Sequence, residues 1–131
     1  MPALPWTTIA APPETGEVLV LASRLRLRHL HQVPGFMRRA LRVHAATKEA
    51  DGAIGASLLA QPAAKTFWTL SVWTDEAAMR RFVGHPVHRD VMRRYQGSLH
   101  DATFVTWTES ASVVQAPPSW DDARTRVLAA A

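Results

Sequence analysis

Alternating apolar positions predict four β-strands along the chain. The first is expected at residues 17–27, whose first half is apolar on both faces and therefore needs cover on both. A hairpin is expected from strands at 53–61 and 66–74, and a last strand is expected at 101–109. The strand at 66–74 is the richest in aromatic and β-branched residues, which suit a half-buried pleated surface.

Helical spacing of apolar residues predicts two helical regions between these strands. The first is expected at 34–48, with His44 on its apolar stripe. The second is expected to begin at Thr74 as its N-cap, to break at Gly84-His85-Pro86 and to end at Gly97. The resulting order β-α-β-β-α-β is the split βαβ arrangement. It predicts an α+β, ferredoxin-like domain with a four-stranded antiparallel sheet and helices on one face.

Proline separates the two ends of the chain from the compact domain. Six of the nine prolines lie in these ends, and proline fixes φ and lacks an N–H donor. We expect an extended N-terminal tail at 1–16, the domain at 17–110 and a C-terminal tail at 111–131. The C-terminal tail can hold a short helix from Asp121 onward, with Ser119 or Asp121 as its cap.

Both faces of the predicted sheet carry large apolar side chains. On the strand at 66–74, Phe67 and Trp73 lie on one face, and Trp68 and Leu70 lie on the other. Two helices can cover only one face of such a sheet, and a large uncovered apolar patch is rare in monomers. We therefore expect a homodimer in which the second face packs against the same face of another copy.

Composition and charge narrow the classes of function. The 131 residues include no cysteine, which excludes disulfides, thiolate metal sites and cysteine nucleophiles. The net charge is +4, but the arginines fall into groups at helical spacing, which is typical of solvated helix faces. No nucleic-acid motif accompanies them. No apolar run could cross a bilayer and no signal peptide is recognisable, so we expect a cytoplasmic protein without membrane or nucleic-acid partners.

One stretch of the chain resembles a known group of proteins. Residues 67–94, FWTLSVWTDEAAMRRFVGHPVHRDVMRR, join a strand ending in an aromatic step to a helix entered by Asp-Glu-Ala, and a Pro/His break precedes a second helical piece. This pattern resembles the antibiotic-biosynthesis-monooxygenase-like group of dimeric α/β-barrel proteins. Residues 23–41 are similar to the first strand and helix of an uncharacterised branch, and the likeness extends over residues 17–110.

The resemblance implies a cavity between the sheet and its covering helices that binds a small aromatic or polyketide-like molecule. The group includes cofactor-independent oxygenases, heme-degrading enzymes and isomerases, and the fold does not choose among them. The resemblance favours an enzyme of secondary metabolism that abstracts a proton and then oxygenates, cyclises or isomerises its substrate without a cofactor. The alternatives are a non-enzymatic dimeric module that binds a hydrophobic metabolite, and a heme-binding protein with one histidine as axial ligand.

Two histidines and one arginine are the candidates for catalysis. His44 or His88 can serve as the base, since an imidazole titrates near neutral pH. For His44 the alternative is a buried histidine bonded to a backbone carbonyl. Arg24 can stabilise an anion formed from the substrate, and its alternative is a salt bridge between subunits with Asp101 or Glu109.

Aromatic side chains and Arg26 are the candidates for substrate binding. Arg26 can bind an anionic group of the ligand, and its alternative is again a salt bridge between subunits. Because Trp68 and Trp73 point to opposite faces of one strand, one is expected to line the cavity and the other to pack in the dimer interface or against a helix. Phe36 and Phe82 are expected to form the remaining walls. Packing in the core is the alternative for each ring. No third ligand lies in register with the histidines, so no metal site is expected.

Overall fold

The structure is a computed structural model that describes residues 6–115 and 118–131. Within these residues, five strands form one antiparallel sheet: β1 (Thr7–Thr8), β2 (Glu17–Leu27), β3 (Ala53–Gln61), β4 (Thr66–Trp73) and β5 (Leu99–Ser110). Their order across the sheet is β1-β3-β4-β2-β5. The central strands β4 and β2 pair along most of their length, with Leu19 opposite Trp73 and Arg26 opposite Thr66.

The same residues form four α-helices: α1 (Val33–Thr47), α2 (Glu76–Val83), α3 (Pro86–Tyr95) and α4 (Trp120–Ala130). Short 3-10 turns at Leu30–Gln32, Pro62–Ala64 and Val113–Gln115 lie between elements. In the described part of the chain, no helix has the length and apolar character that crossing a membrane requires. The predicted α+β ferredoxin-like fold is confirmed, with β1 as an additional strand. The short helix expected in the C-terminal tail is present as α4, with Ser119 as its N-cap.

The helix break predicted before α3 is present and well capped. Gly84 ends α2, and the backbone N–H of Val87 donates to Nδ1 of His85 at 3.2 Å. His85 is therefore the N-cap of α3, with Pro86 at the first helical position. A structural role accounts for His85.

The N-cap of α2 differs from the predicted Thr74. The carboxylate of Asp75 accepts from the N–H of Ala78 at 2.8 Å, so Asp75 is the cap. A carboxylate at this position also interacts favourably with the helix dipole. Thr74 instead donates its backbone N–H to the carbonyl of Gly52 at 2.8 Å, which holds it in the turn beside β3.

The N-terminal tail contributes the extra strand. β1 pairs Thr7 with Ala56 and Thr8 with Gly55 on the outer side of β3. Gly55 is required here because a Cβ at this position would lie 2.2 Å from Cζ2 of Trp6. The indole of Trp6 therefore rests on the glycine backbone, which anchors the tail to the sheet.

The first face of the sheet packs against α1, α2 and α3. Phe67 is fully buried, with its ring centroid 4.7 Å from that of Phe36 on α1, and Phe36 meets Tyr95 of α3 edge-on at 4.9 Å. At the other end of β4, the Trp73 ring lies 5.4 Å from that of Phe82 on α2. Aromatic pairs at these separations stabilise beyond their buried area, so they fix the helices over the sheet.

The second face of the sheet is covered by α4, which corrects the expectation of helices on one face only. Val20 and Val72 of the sheet are 0% exposed and belong to one buried cluster with Ala123 and Val127 of α4. The indole of Trp120 packs against the same cluster. The chain's own C-terminal helix thus buries the apolar face that was expected to need a second copy.

Candidate functional site

A cavity of about 120 Å³ lies between the first face of the sheet and α1, α2 and α3. Its lining is apolar except for hydroxyls and two histidines: Ser23, Thr47, Ser57, Thr69, Ser71, His44 and His88. No Asp, Glu, Lys or Arg of the described residues lines it. An unpaired charge is costly in such surroundings, so the cavity suits an uncharged ligand.

The size of the cavity limits what it can enclose. Its volume is comparable to that of the roughly 150 Å³ cavity that accommodates benzene. It is smaller than the roughly 300–1,000 Å³ typical of pockets for drug-sized ligands. One ring can therefore be enclosed, and a larger molecule would extend through the mouth, where Val83 and Phe104 are 40% and 48% exposed.

A row of hydroxyl groups forms the polar part of the cavity floor. The buried Ser23 of β2 hydrogen-bonds through its Oγ to Oγ1 of Thr69, its cross-strand partner on β4. Further along β4, Oγ of Ser71 accepts from Nε1 of Trp73 at 2.9 Å. A hydroxyl has one proton and two lone pairs, so this row retains capacity to bind a carbonyl or phenol oxygen.

His88 lines the cavity from α3, just beyond the helix break. Its half-buried ring meets Phe82 edge-on, with centroids 5.6 Å apart. Nδ1 of His88 is buried and has no hydrogen-bond partner in the part of the chain that the structure describes. Burial lowers the pKa of His88 below 6.5, and hydrogen bonding to the Val83 backbone raises it by a smaller amount. The imidazole is therefore neutral at pH 7, and with its proton on Nε2 its Nδ1 can accept another.

His44 lines the cavity from α1 and is also half-buried. Its Nε2 lies 3.4 Å from Oγ1 of Thr7, so the edge strand β1 supplies its hydrogen-bond partner. Burial lowers the pKa of His44, and the positive charge of Lys48 lowers it further. His44 is thus a second neutral imidazole at pH 7, but one that already has a side-chain partner.

Three of the aromatic residues expected to bind substrate line the cavity, namely Phe36, Trp73 and Phe82. The alternation along β4 placed Trp68 and Trp73 on opposite faces, and the structure assigns Trp73 to the cavity and Trp68 to the cluster under α4. The predicted site thus keeps both histidines and one tryptophan on the same side of the sheet.

Arg24, Arg26 and Trp68 lie on the second face of the sheet, which corrects their expected place in the cavity. The two-residue period of β2 puts both arginines with Val20, on the side opposite Ser23. Arg24 therefore cannot stabilise an anion held beside the histidines, and Arg26 and Trp68 cannot contact a ligand there.

Arg26 instead forms a salt bridge with Asp101 of β5 within the same chain. The hydrogen bond from Arg26 lowers the pKa of the Asp101 carboxyl. The salt bridge expected between subunits is therefore made across two neighbouring strands of one subunit.

Sequence reasoning missed the hydroxyl row and the contribution of β1. The alternation that paired Phe67 with Trp73 also places Thr69 and Ser71 on the cavity face, and this signal was available. Thr7 gave no signal, because a two-residue strand has no detectable period. In the part of the chain that the structure covers, no three His, Asp or Glu side chains are grouped so that they could hold a metal ion.

The antibiotic biosynthesis monooxygenase family model matches residues 31–94. This segment runs from α1 through α3 and carries both histidines of the cavity. This segment is similar to the antibiotic biosynthesis monooxygenase (ABM) family. The resemblance seen in the sequence is therefore confirmed, and the cavity of this ABM-like domain is built largely from the matched segment. No curated protein matches the chain in sequence.

Solved structures share the fold of this ABM-like domain. A variant of SnoaB, a cofactor-independent oxygenase from Streptomyces nogalater, is 16% identical with a TM-score of 0.58, over 79% of this chain and 96% of that one. PA3566 from Pseudomonas aeruginosa is 14% identical with a TM-score of 0.65, over 74% and 98%. A conserved protein from Methanosarcina mazei is 12% identical with a TM-score of 0.61, over 69% and 90%. At these identities the likeness shows the fold and not the reaction.

Proposed function

We propose that this ABM-like protein binds an uncharged aromatic or polyketide-like molecule in the cavity and removes a proton from it, with His88 as the base. The observation that carries the proposal is the buried Nδ1 of His88, which has no hydrogen-bond partner among residues 6–115 and 118–131 and lies at a cavity that none of these residues lines with a charged side chain. A neutral imidazole in such a place can take a proton from a weak carbon acid once the ligand has excluded water.

Proton removal from a methylene between an aryl ring and a carbonyl gives a delocalised carbanion. This carbanion can pass one electron to dioxygen, and the two radicals can then combine into a peroxide that takes up a proton. Loss of water from the hydroperoxide leaves a ketone, so one oxygen atom enters the product and the other enters water. The reaction therefore needs neither a cofactor nor an external reductant, and cyclisation or isomerisation can start from the same carbanion.

The other polar groups of the cavity complete this chemistry. The hydroxyls of Ser23 and Thr69 can hold the carbonyl oxygen as negative charge develops on it. The imidazolium formed at His88 can return its proton to the peroxide or to the product, and neutral His44, whose pKa is lowered by burial, can hydrogen-bond to the ligand. The rings of Phe36 and Phe82 supply apolar walls for a flat ligand.

Heme binding is the alternative that the cavity supports least. A heme carries two carboxylate groups, and none of the described residues that line the cavity is a Lys or Arg that could pair with them. Absorption spectra of protein purified from iron-replete cells test this point. A Soret band that is lost on replacing His88 would favour heme and contradict the cofactor-free reaction, and its absence at stoichiometric level is the expected result.

Deuterium exchange into β-tetralone tests the proposed base, because this uncharged ketone has an acidic methylene between a ring and its carbonyl. In D₂O we expect the wild-type protein to accelerate exchange, followed by NMR. We expect His88→Gln to lose about 10²–10⁴-fold of the acceleration while retaining ligand affinity. His85→Asn is the matched control, since residue 85 caps α3 outside the cavity and asparagine can still cap.

The exchange experiment also separates an enzyme from a binding module. Binding of β-tetralone without acceleration by the wild-type protein would favour the non-enzymatic module. Acceleration that persists in His88→Gln and disappears in His44→Gln would transfer the role of base to His44. Acceleration that persists in both variants would overturn the assignment of a histidine base.

We also propose that the protein is a homodimer, formed through the exposed side of β5. This strand is one of the two edge strands of the sheet, is 12 residues long and presents Phe104, which is 48% exposed. Long edge strands with exposed apolar residues favour pairing with another chain. Because Phe104 also lines the mouth of the cavity, a second copy packed here would close the site from water.

Sedimentation velocity tests this homodimer. We expect a dimer at micromolar concentration that Phe104→Glu converts to a monomer. Leu30→Glu is the control, since Leu30 is 62% exposed but lies in the turn before α1. A wild-type monomer at micromolar concentration would contradict the proposal, as would a dimer that tolerates Phe104→Glu.

A further inference from the structure

Two arginines each contact the same tryptophan ring on the second face of the sheet. The guanidinium carbons of Arg24 on β2 and Arg124 on α4 lie 5.7 and 5.1 Å from the centroid of the Trp68 ring. Trp68 is buried, and its Nε1 donates to Oε1 of Gln61 at 2.8 Å, so the indole is fixed in place. Both positive charges therefore lie against the same fixed apolar side chain.

Neither of these two arginines forms a salt bridge among the described residues, although Arg24 is near enough to Asp101 to help lower the pKa of that carboxyl. Nε of each is buried and has no hydrogen-bond partner in the part of the chain that the structure describes, while the residue as a whole is only half-buried. Two residues further along each element, Arg26 forms a salt bridge with Asp101. Nε of Arg126 lies 3.0 Å from Oδ2 of Asp122, and its Nη2 lies 3.9 Å from Oε1 of Glu109. Arg26 and Arg126 thus form salt bridges, whereas Arg24 and Arg124 form none among the described residues.

We propose that Arg24 and Arg124 together bind a small oxyanion, a carboxylate or a phosphate. A partly buried guanidinium that forms no salt bridge is poorly satisfied, and its planar fork matches the paired oxygens of these groups. One arginine comes from the sheet and the other from the C-terminal helix, so the anion joins α4 to β2. The site lies across the sheet from the cavity and is independent of the proposed proton abstraction.

Isothermal titration with inorganic phosphate and, separately, with succinate at constant ionic strength tests the site. We expect saturable binding of at least one anion to the full-length protein. Arg24→Gln and Arg124→Gln are each expected to weaken it by about tenfold or more, the effect of losing one charged hydrogen bond. Arg26→Gln and Arg126→Gln are the matched controls on the same two elements and are expected to retain most of the affinity.

Each outcome of the titration decides a point. Tighter binding of phosphate identifies a phosphoryl ligand, and tighter binding of succinate identifies a carboxylate ligand; either supports the site. Absence of saturable binding for both anions, or equal weakening in the control variants, overturns it. If Arg124→Gln loosens α4, binding can be followed instead by the rise in melting temperature that the anion causes through mass action. An undiminished rise in Arg24→Gln would also overturn the proposal.

Discussion

Val127 of α4 is fully buried in the cluster that contains Val20 and Val72 of the sheet, so its truncation measures what α4 contributes to the domain. Val127→Ala removes two methyl groups. At about 0.8 kcal/mol for each buried carbon, together with the cavity left behind, the free energy of unfolding should fall by about 2–3 kcal/mol. For a chain of this length, that lowers the melting temperature by roughly 6–12 °C.

Urea and thermal unfolding followed by far-UV circular dichroism measure this loss. Leu128→Ala is the matched control, because Leu128 is the next residue on the same helix but is 53% exposed. We expect Leu128→Ala to change the free energy of unfolding by no more than about 0.5 kcal/mol. Equal, small losses in the two variants would refute the reasoning, because α4 would then not bury the second face of the sheet in solution.

Gly55→Ala is expected to displace Trp6 and cost about 1–3 kcal/mol in urea unfolding, because the new methyl group would lie 2.2 Å from the indole. Gly97→Ala is the control and is expected to cost nothing, because no atom of the described residues lies within 4 Å of a Cβ added at this position. The free energy of unfolding is expected to fall as the pH drops below 6.5, because burial lowers the pKa of His88 in the native protein and the unfolded chain then binds more protons. Unfolding curves at several pH values should show that this free energy depends less on pH in His88→Gln. Asp75→Ala removes the cap of α2 and is expected to cost about 1 kcal/mol by the same assay, and Asp75→Asn should restore most of it.

Much of the cavity could be predicted from two periodicities. The alternation along β4 places Phe67 and Trp73 on one face, and the helical stripe of α1 places His44 with Phe36. The Gly-His-Pro break correctly separated α2 from α3, which is what brings His88 to the cavity. These features depend on local spacing, which a sequence displays directly.

The side of the sheet on which the helices lie could not be predicted in the same way. Because β2 is apolar on both faces in its first half, its alternation separates Arg24 from Ser23 but does not say which of them faces the cavity. The packing of α4 against the second face of the sheet could not be predicted either. Its buried stripe consists of only Ala123 and Val127, which is too small to distinguish a docked helix from a solvated one.

An NMR titration of the His88 imidazole, with and without β-tetralone, tests the central claim most directly. We expect His88 to titrate below pH 6.5, to be neutral at pH 7 and to shift its Nδ1 resonance when the ligand binds. A pKa at or above 6.5, or a resonance that does not respond to a ligand bound in the cavity, would contradict the assignment of His88 as the base.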